Sequence, residues 1–191
     1  MNQLLQDISK YIKLEPEEKE SILRLIETKT YSSKTFLFKE GEACPYLYFV
    51  NKGVLCSYIS KNQNIGKIIR LATAGEWTSE LKSFHYQAPS RYNLKTLEKT
   101  EVLQLSLQNY EELFRLVPKM ERYFRLIMCD VLINTTNRMR DNLVLTTEER
   151  YSQFIKDFPG LAYRISEKYV ASFIGVSPQF FSKIKSELLK K

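Results

Sequence analysis

The sequence predicts an α+β chain: a jelly-roll β-barrel, one long helix, and a C-terminal helix-turn-helix. Three observations carry this. From Tyr31 to about Leu107, apolar residues alternate with the period of 2 that strands require, in segments rich in Tyr, Phe, Val, Ile and Leu. From Gln108 onward the period becomes 3.6, with an apolar stripe running from Pro118 to roughly Asn142. Two short helical patterns then meet at Gly175.

Taken in order, residues 2–13 form a short amphipathic helix with Leu4, Leu5, Ile8, Tyr11 and Ile12 inward. A second helix starts near Glu15–Pro16, where Glu17, Glu18 and Glu20 suit the positive end of its dipole, and it carries Ile22, Leu23, Leu25 and Ile26. Turn signals at Glu40–Gly41–Glu42, Asn51–Lys52–Gly53, Lys61–Asn62–Gln63–Asn64 and Ala74–Gly75 divide the strand region at the spacing of an antiparallel barrel. Asn109–Leu116 reads as a short helix. Pro118 starts the long one, with Phe124, Ile127, Met128, Val131, Leu132 and Thr135 on one face. A stripe of that length needs a partner, either the barrel or the same helix of a second subunit. A further helix, Thr147 to Phe158, ends at Pro159–Gly160.

The stretch 165–189 carries the strongest local signal. Ser166 is placed to cap a helix bearing Val170, Ala171 and Ile174, and Ser177 to cap a second with Pro178 in its first position and Phe181, Ile184 and Leu188 as its stripe. Ala171 is small where the helices cross, and Gly175 can take the left-handed turn conformation. The second helix then presents Ser177, Pro178, Gln179, Phe180, Ser182, Lys183 and Lys185. Gln pairs with adenine, Lys with guanine, and Pro178 and Phe180 suit thymine methyls, so the pattern points to a DNA major groove. The same spacing also suits a helical hairpin that only packs on a neighbour.

Composition narrows the classes. The chain has 191 residues and a formal charge of +7, which favours a polyanionic partner, nucleic acid before an anionic membrane. No run of about 18 apolar residues occurs, and the first 20 residues hold acids and amides where a signal peptide is apolar, so a cytoplasmic protein is expected. Cys44, Cys56 and Cys129 are widely spaced and read as reduced thiols, with no disulfide, zinc or iron–sulfur pattern. His85 is the single histidine, which argues against cupin-type metal chemistry and a Ser–His triad. A non-enzyme with no metal and no cofactor is expected.

Phe38–Lys39–Glu40–Gly41–Glu42, Leu47–Tyr48–Phe49–Val50–Asn51–Lys52–Gly53, Gly75–Glu76 before Glu80, and Val170–Ala171–Ser172–Phe173–Ile174–Gly175–Val176–Ser177 follow in an order that resembles the Crp/Fnr family of transcription regulators. The resemblance covers nearly the whole chain. It implies a cyclic-nucleotide-binding-type barrel with N-terminal helices over 1–117, a dimerisation helix over 118–145 and a DNA-binding helix-turn-helix over 146–191. It makes Phe124, Ile127, Met128, Val131, Leu132 and Thr135 the dimer face. It also implies a homodimer on an imperfect palindrome of double-stranded DNA, with RNA polymerase and a small-molecule effector as further partners.

The departures are equally informative. Where relatives hold ribose with Gly–Glu and cyclic phosphate with Arg and a small residue, this chain has Ser79–Glu80 and Pro89–Ser90–Arg91–Tyr92. Glu80, Leu81, Ser90, Arg91 and Tyr92 are therefore the candidate effector pocket, yet Arg91 is one residue out of register and Tyr92 is bulky. Trp77, Phe84, Tyr86 and Tyr92 are large enough to fill the pocket. A regulator that does not respond to cAMP is expected; the alternative is a sensor whose barrel binds an unidentified effector. Three scattered cysteines do not suit an iron–sulfur sensor, and His85, expected in an exposed loop, does not suit a haem. A thiol sensor would use Cys44 or Cys56. Only Lys190 and Lys191 follow Leu189, so a full β-hairpin wing is not expected, and phosphate contacts fall to Lys168, Lys183, Lys185, Lys190 and Lys191.

Overall fold

The computed structural model describes residues 2–61 and 64–188, with side chains described at all of these except 61, 64, 65, 187 and 188. Asn62 and Gln63 of the expected turn, and Leu189, Lys190 and Lys191, lie outside the described residues. Strands β1 (Glu27–Tyr31), β2 (Phe36–Phe38), β3 (Tyr46–Lys52), β4 (Val54–Lys61), β5 (Asn64–Thr73), β6 (Trp77–Thr78), β7 (Asn93–Thr96) and β8 (Thr100–Ser106) build the barrel. They form two four-stranded antiparallel sheets, in the orders β1-β8-β3-β6 and β2-β7-β4-β5. The jelly roll is therefore as the strand spacing predicts.

Strand β4 shows why its sequence reads as an almost continuous apolar run. Leu55 points into the barrel core, while Val54, Cys56 and Tyr58 point to the other face, where helices of the C-terminal part cover them. A strand buried on both faces has no solvent side to make polar. The turn before it depends on Gly53, whose φ of +100° belongs to the left-handed region.

The N-terminal helices α1 (Asn2–Ser9) and α2 (Pro16–Leu25) close one end of the barrel. Leu4 and Ile8 are fully buried, and Asp7 is buried with them. That carboxylate is satisfied by a polar chain: Trp77 Nε1 donates to Tyr123 Oη at 2.9 Å, Tyr123 Oη donates to Asp7 Oδ2 at 2.7 Å, and Lys10 Nζ donates to Asp7 Oδ1 at 2.9 Å. Burial, with the Asp7 hydrogen bond, pushes the Tyr123 hydroxyl well above its usual range, so it remains a donor.

Helix α3 (Leu81–Tyr86) lies where no helix was expected, and α4 (Leu107–Leu116) is capped by Ser106, which accepts from the Asn109 amide at 3.2 Å. The long helix α5 spans Lys119–Val144, with Pro118 one position earlier as its N-cap. Helix α6 (Thr147–Asp157) opens with a Thr146–Glu149 capping box, and a single turn, α7 (Leu161–Arg164), was not foreseen. Helices α8 (Glu167–Ile174) and α9 (Pro178–Leu188) form the helix-turn-helix. Among the described residues no helix is long and apolar enough to cross a membrane.

Candidate nucleic-acid interface and ligand cavity

The geometry between α8 and α9 follows from three small features. Gly175 sits at φ +86° as the C-cap of α8, and the Val176 amide donates to the Ala171 carbonyl at 2.9 Å. Ala171 is fully buried at the crossing, with Val170, Ile174, Phe181 and Ile184 around it. Ser177 Oγ accepts from the Phe180 amide at 3.2 Å, which caps α9. Ser166 holds the corresponding position before α8, but its side chain makes no cap bond.

These contacts turn the N-terminal part of α9 outward. Ser177, Pro178, Gln179, Ser182 and Lys183 are exposed, and Phe180 is 48% exposed. Lys185 stands apart from them: its Nζ lies 2.6 Å from Glu167 Oε1, and that carboxylate is held below its ordinary range by the hydrogen bond. The expected DNA-facing residues are thus brought together on one surface, with Lys185 partly neutralised behind it. Lys168 also lies on α8, its ammonium 5.3 Å from the centre of the Tyr169 ring.

The helix-turn-helix docks directly on the barrel. Tyr169 and Val170 of α8, with Phe154 of α6, Leu161 of α7 and Ile165, share a core with Val54, Cys56, Tyr58, Ile68 and Leu71 of β4 and β5. Lys95 of β7 is 8% exposed beneath this contact, with its ammonium 4.7 Å from the Tyr58 ring centre and 5.5 Å from that of Tyr169. Desolvation pulls its pKa down.

Strand β5 is an edge strand, and its pairing with β4 skips Gly66 and Ile69, which are bulged. Those bulges expose backbone groups that the C-terminal part satisfies. Ser172 Oγ donates to the Gly66 carbonyl at 3.0 Å and accepts from the Ile68 amide at 3.2 Å. Arg138 of α5 donates to the carbonyls of Ile69, of Ile68 at 2.9 Å and of Phe173 at 3.2 Å, with its guanidinium 3.9 Å from the centre of the Phe173 ring. One arginine therefore joins the long helix, the barrel edge and α8. Burial lowers its pKa to about 10, leaving it charged at neutral pH. Arg138→Ala should lower stability by about 2–3 kcal/mol, because three carbonyls lose a charged donor. Urea denaturation with amide exchange at Ile68 checks this; unchanged protection there would refute the role.

The long helix has two apolar faces. Phe124 is 3% exposed and packs within the chain's own core against Trp77, Tyr110 and Tyr123, with Ile127 and Met128 beside it. Burial in the barrel core removes Phe124 from the face expected to meet a second subunit. Thr135 is exposed and, with the half-buried Val131, lines the cavity described below. The outward seam is instead Cys129, Leu132, Thr136, Met139 and Leu143, at the 3-4-3-4 spacing of a coiled coil. Leu132 is 67% exposed and Leu143 86%.

The expected effector residues are only partly convergent. Glu80 Oε2 accepts from the Ser83 amide at 2.8 Å and so caps α3. Arg91 is exposed, and among the described residues it forms no ion pair with Glu80. Ser90 is buried and donates to the Tyr92 carbonyl at 2.7 Å, while Leu81 is 46% exposed. Tyr92 donates from Oη to the Ser79 carbonyl at 3.0 Å, laying its ring beside Phe38. Of the other aromatic residues expected to fill this pocket, Phe84 turns into the core, Tyr86 is exposed, and Trp77 packs edge-on against Phe49 and tilted against Phe124. His85 lies exposed on α3 rather than in a loop. Cys44 and Cys56 are buried, which pushes the Cys56 thiol up to about 12 and raises that of Cys44, the reverse of what a reactive thiolate needs.

A cavity of about 1000 Å³ runs from Glu80 and Tyr92, past α5, to the inner side of α6 and Phe173. It is walled on one side by the barrel and on the other by the helix-turn-helix part.

The chain thus joins a jelly-roll barrel, a long helix and a terminal helix-turn-helix. Residues 28–116 match the cyclic nucleotide-binding domain family, and over its length the chain has the fold of the Crp/Fnr transcription regulators. The global regulator CLP of Xanthomonas campestris, described as c-di-GMP responsive, is 19% identical with a TM-score of 0.72, and 92% of each chain is covered. FixK2 from Bradyrhizobium japonicum is 17% identical with a TM-score of 0.73, over 86% of this chain and 85% of FixK2. A mutant of CooA from Carboxydothermus hydrogenoformans is 16% identical with a TM-score of 0.68, over 96% of this chain and 83% of CooA. No curated protein sequence matches the chain.

Proposed function

We propose that the chain is a DNA-binding transcription regulator of the Crp/Fnr type, acting as a homodimer on an imperfect palindrome and without cAMP. The observation that carries this is the outward turn of α9, where Gln179, Ser182 and Lys183 stand exposed on a helix locked by Ala171 and Gly175. Two such helices about 34 Å apart match successive major-groove half-sites. The outward seam of α5 supplies a surface on which a second copy can pair. Glu80 engaged as a helix cap, Arg91 exposed and Tyr92 turned to Ser79 all speak against a bound cyclic nucleotide. Such a regulator works in the cytoplasm with duplex DNA and RNA polymerase, and the reading assigns it no catalytic step.

Selection of bound sequences from a random duplex pool is the test. An inverted repeat with half-sites one helical turn apart supports the reading, and unselective binding at every salt concentration refutes it. Gln179→Ala should cost about 1–3 kcal/mol at one base position of the half-site. Binding profiles that match the parent at every position would remove Gln179 from the base-reading set. A second reading, a sensor whose cavity takes a small molecule, is favoured by the size of the cavity between barrel and α6.

A further inference from the structure

Lys95 is the only buried lysine among the described residues, and it lies under the junction of barrel and helix-turn-helix. On β7 it is the register partner of Phe36 of β2 and Cys56 of β4, on the sheet face that α8 covers. Besides the rings of Tyr58 and Tyr169, its ammonium has the Phe36 ring centre at 5.9 Å. Among the described residues that ammonium meets no hydrogen-bond acceptor and no carboxylate. The charges it faces have its own sign: Lys34 from the turn before β2 and Lys168 from α8, both exposed. Lys39, just after β2, lies 5.2 Å from the same Phe36 ring centre. The other titratable groups packed on it, the Cys56 thiol and the Tyr58 and Tyr169 hydroxyls, stay neutral because burial raises the pKa of each. The acids next in sequence on the two elements, Glu98 after β7 and Glu167 of α8, are paired with Arg164 and Lys185.

We propose that Lys95 is a restraint built into the junction: its unmatched charge keeps the helix-turn-helix part weakly docked on the barrel, and removal of the charge tightens the docking. Phe36 and Tyr58 belong to the barrel and stay beside the ammonium whether or not α8 is seated. Seating α8 takes the ammonium out of water, adds one ring face from Tyr169 and brings Lys168 near. The hydration lost by an ammonium outweighs the attraction of one aromatic face, and the like charge adds to the imbalance. The docked state therefore holds this proton less firmly than an undocked one, in keeping with the lowered pKa, whose largest cause is desolvation. Docking is then strongest above the ordinary lysine value of 10.5 and weakens as pH falls through the lowered one. Below that window both states carry the charge, and docking is at its weakest. Weak docking leaves α8 and α9 free to turn from the barrel. That this serves DNA reading rests on the proposed function; the restraint itself does not.

The test is amide exchange of the full chain, expressed as protection relative to the unstructured sequence. The Ile68 amide reads the docking, because its acceptor is Ser172 Oγ of α8 at 3.2 Å. Leu103 of β8, fully buried in the barrel core, is the reference. Lys95→Met keeps the length and the ring contacts without the charge, and should raise Ile68 protection at neutral pH at least about fivefold while Leu103 stays within about twofold. Lys168→Gln, at an exposed helix position, removes only the like charge and should raise Ile68 protection about twofold. In the parent, Ile68 protection should rise on going to alkaline pH. Lys95→Arg, whose charge cannot be removed, should show no such rise. Ile68 protection that fails to increase in both Lys95→Met and Lys168→Gln overturns the proposal. So does an equal gain at Leu103, which would be stabilisation of the whole chain, or a rise with pH that persists in Lys95→Met. No DNA enters the measurement, so its failure is distinct from failure of the regulator reading, which sequence selection tests alone.

Discussion

Charging the outward seam of α5 with Leu132→Glu and Leu143→Glu together is expected to give a monomer and to lower affinity for a palindromic duplex by about 10²–10⁴-fold. Both side chains are largely exposed, so the substitutions leave the fold of one chain intact. In a two-fold dimer of parallel helices each seam residue faces its own copy, so two glutamates per chain bring like charges together at two levels. In the proposed DNA-binding dimer, loss of the second α9 then removes the gain from tethering two half-sites. Sedimentation at several concentrations and binding to whole and half operators measure the two effects separately. A variant that sediments as a dimer would place the subunit contact elsewhere.

Gly53→Ala is expected to destabilise the barrel by at least about 3 kcal/mol, a large part of the stability of an ordinary domain. A Cβ at this position would lie 2.5 Å from Thr100 Oγ1, 2.7 Å from Thr100 Cα and 2.8 Å from the Lys99 carbonyl oxygen. Two of those atoms are backbone and cannot swing away. The hydroxyl is also held, since it accepts from the Val54 amide at 3.2 Å and donates to the Glu98 carbonyl at 2.9 Å. The φ of +100° adds a conformational cost that alanine carries wherever space exists. Thermal unfolding decides it; a midpoint within a degree of the parent would show that the Gly53 turn and the Lys99–Thr100 backbone can move apart more easily than their contacts imply.

Much of this architecture is legible from local chemistry. The period of 2, Gly53, Ser177 before its helix, Ala171 and Gly175 each solve a local problem that the residue type announces. The two unforeseen helices are short and carry weak periodicity. Leu81–Tyr86 contains a serine and a histidine and is started by Glu80, which has a more conspicuous reading as a ligand group. The two faces of α5 are not separable in the sequence for a different reason. A 26-residue helix with apolar residues on two sides does not state which side meets its own barrel, and Phe124 was resolved only by Trp77 and Tyr110 arriving from distant positions. Arg138 continues the inward stripe of Val131 and Thr135 at helical spacing, so an arginine on an inward face was the available signal for the cavity and for the docking contact.

The bulged edge of β5 has a consequence for solubility. An edge strand with open N–H and C=O groups is a template for a strand from another molecule. Here the cover over Gly66, Ile68 and Ile69 is Ser172 and Arg138, so protection of the edge is lent by the same part that would move if the helix-turn-helix swung away from the barrel. Any swing that frees α8 uncovers this edge together with the apolar outer face of β4. Conformational freedom of the helix-turn-helix part and resistance to self-association are then opposed in this chain. Conditions or variants that loosen the docking should show it first as concentration-dependent aggregation, ahead of any loss of helix or sheet.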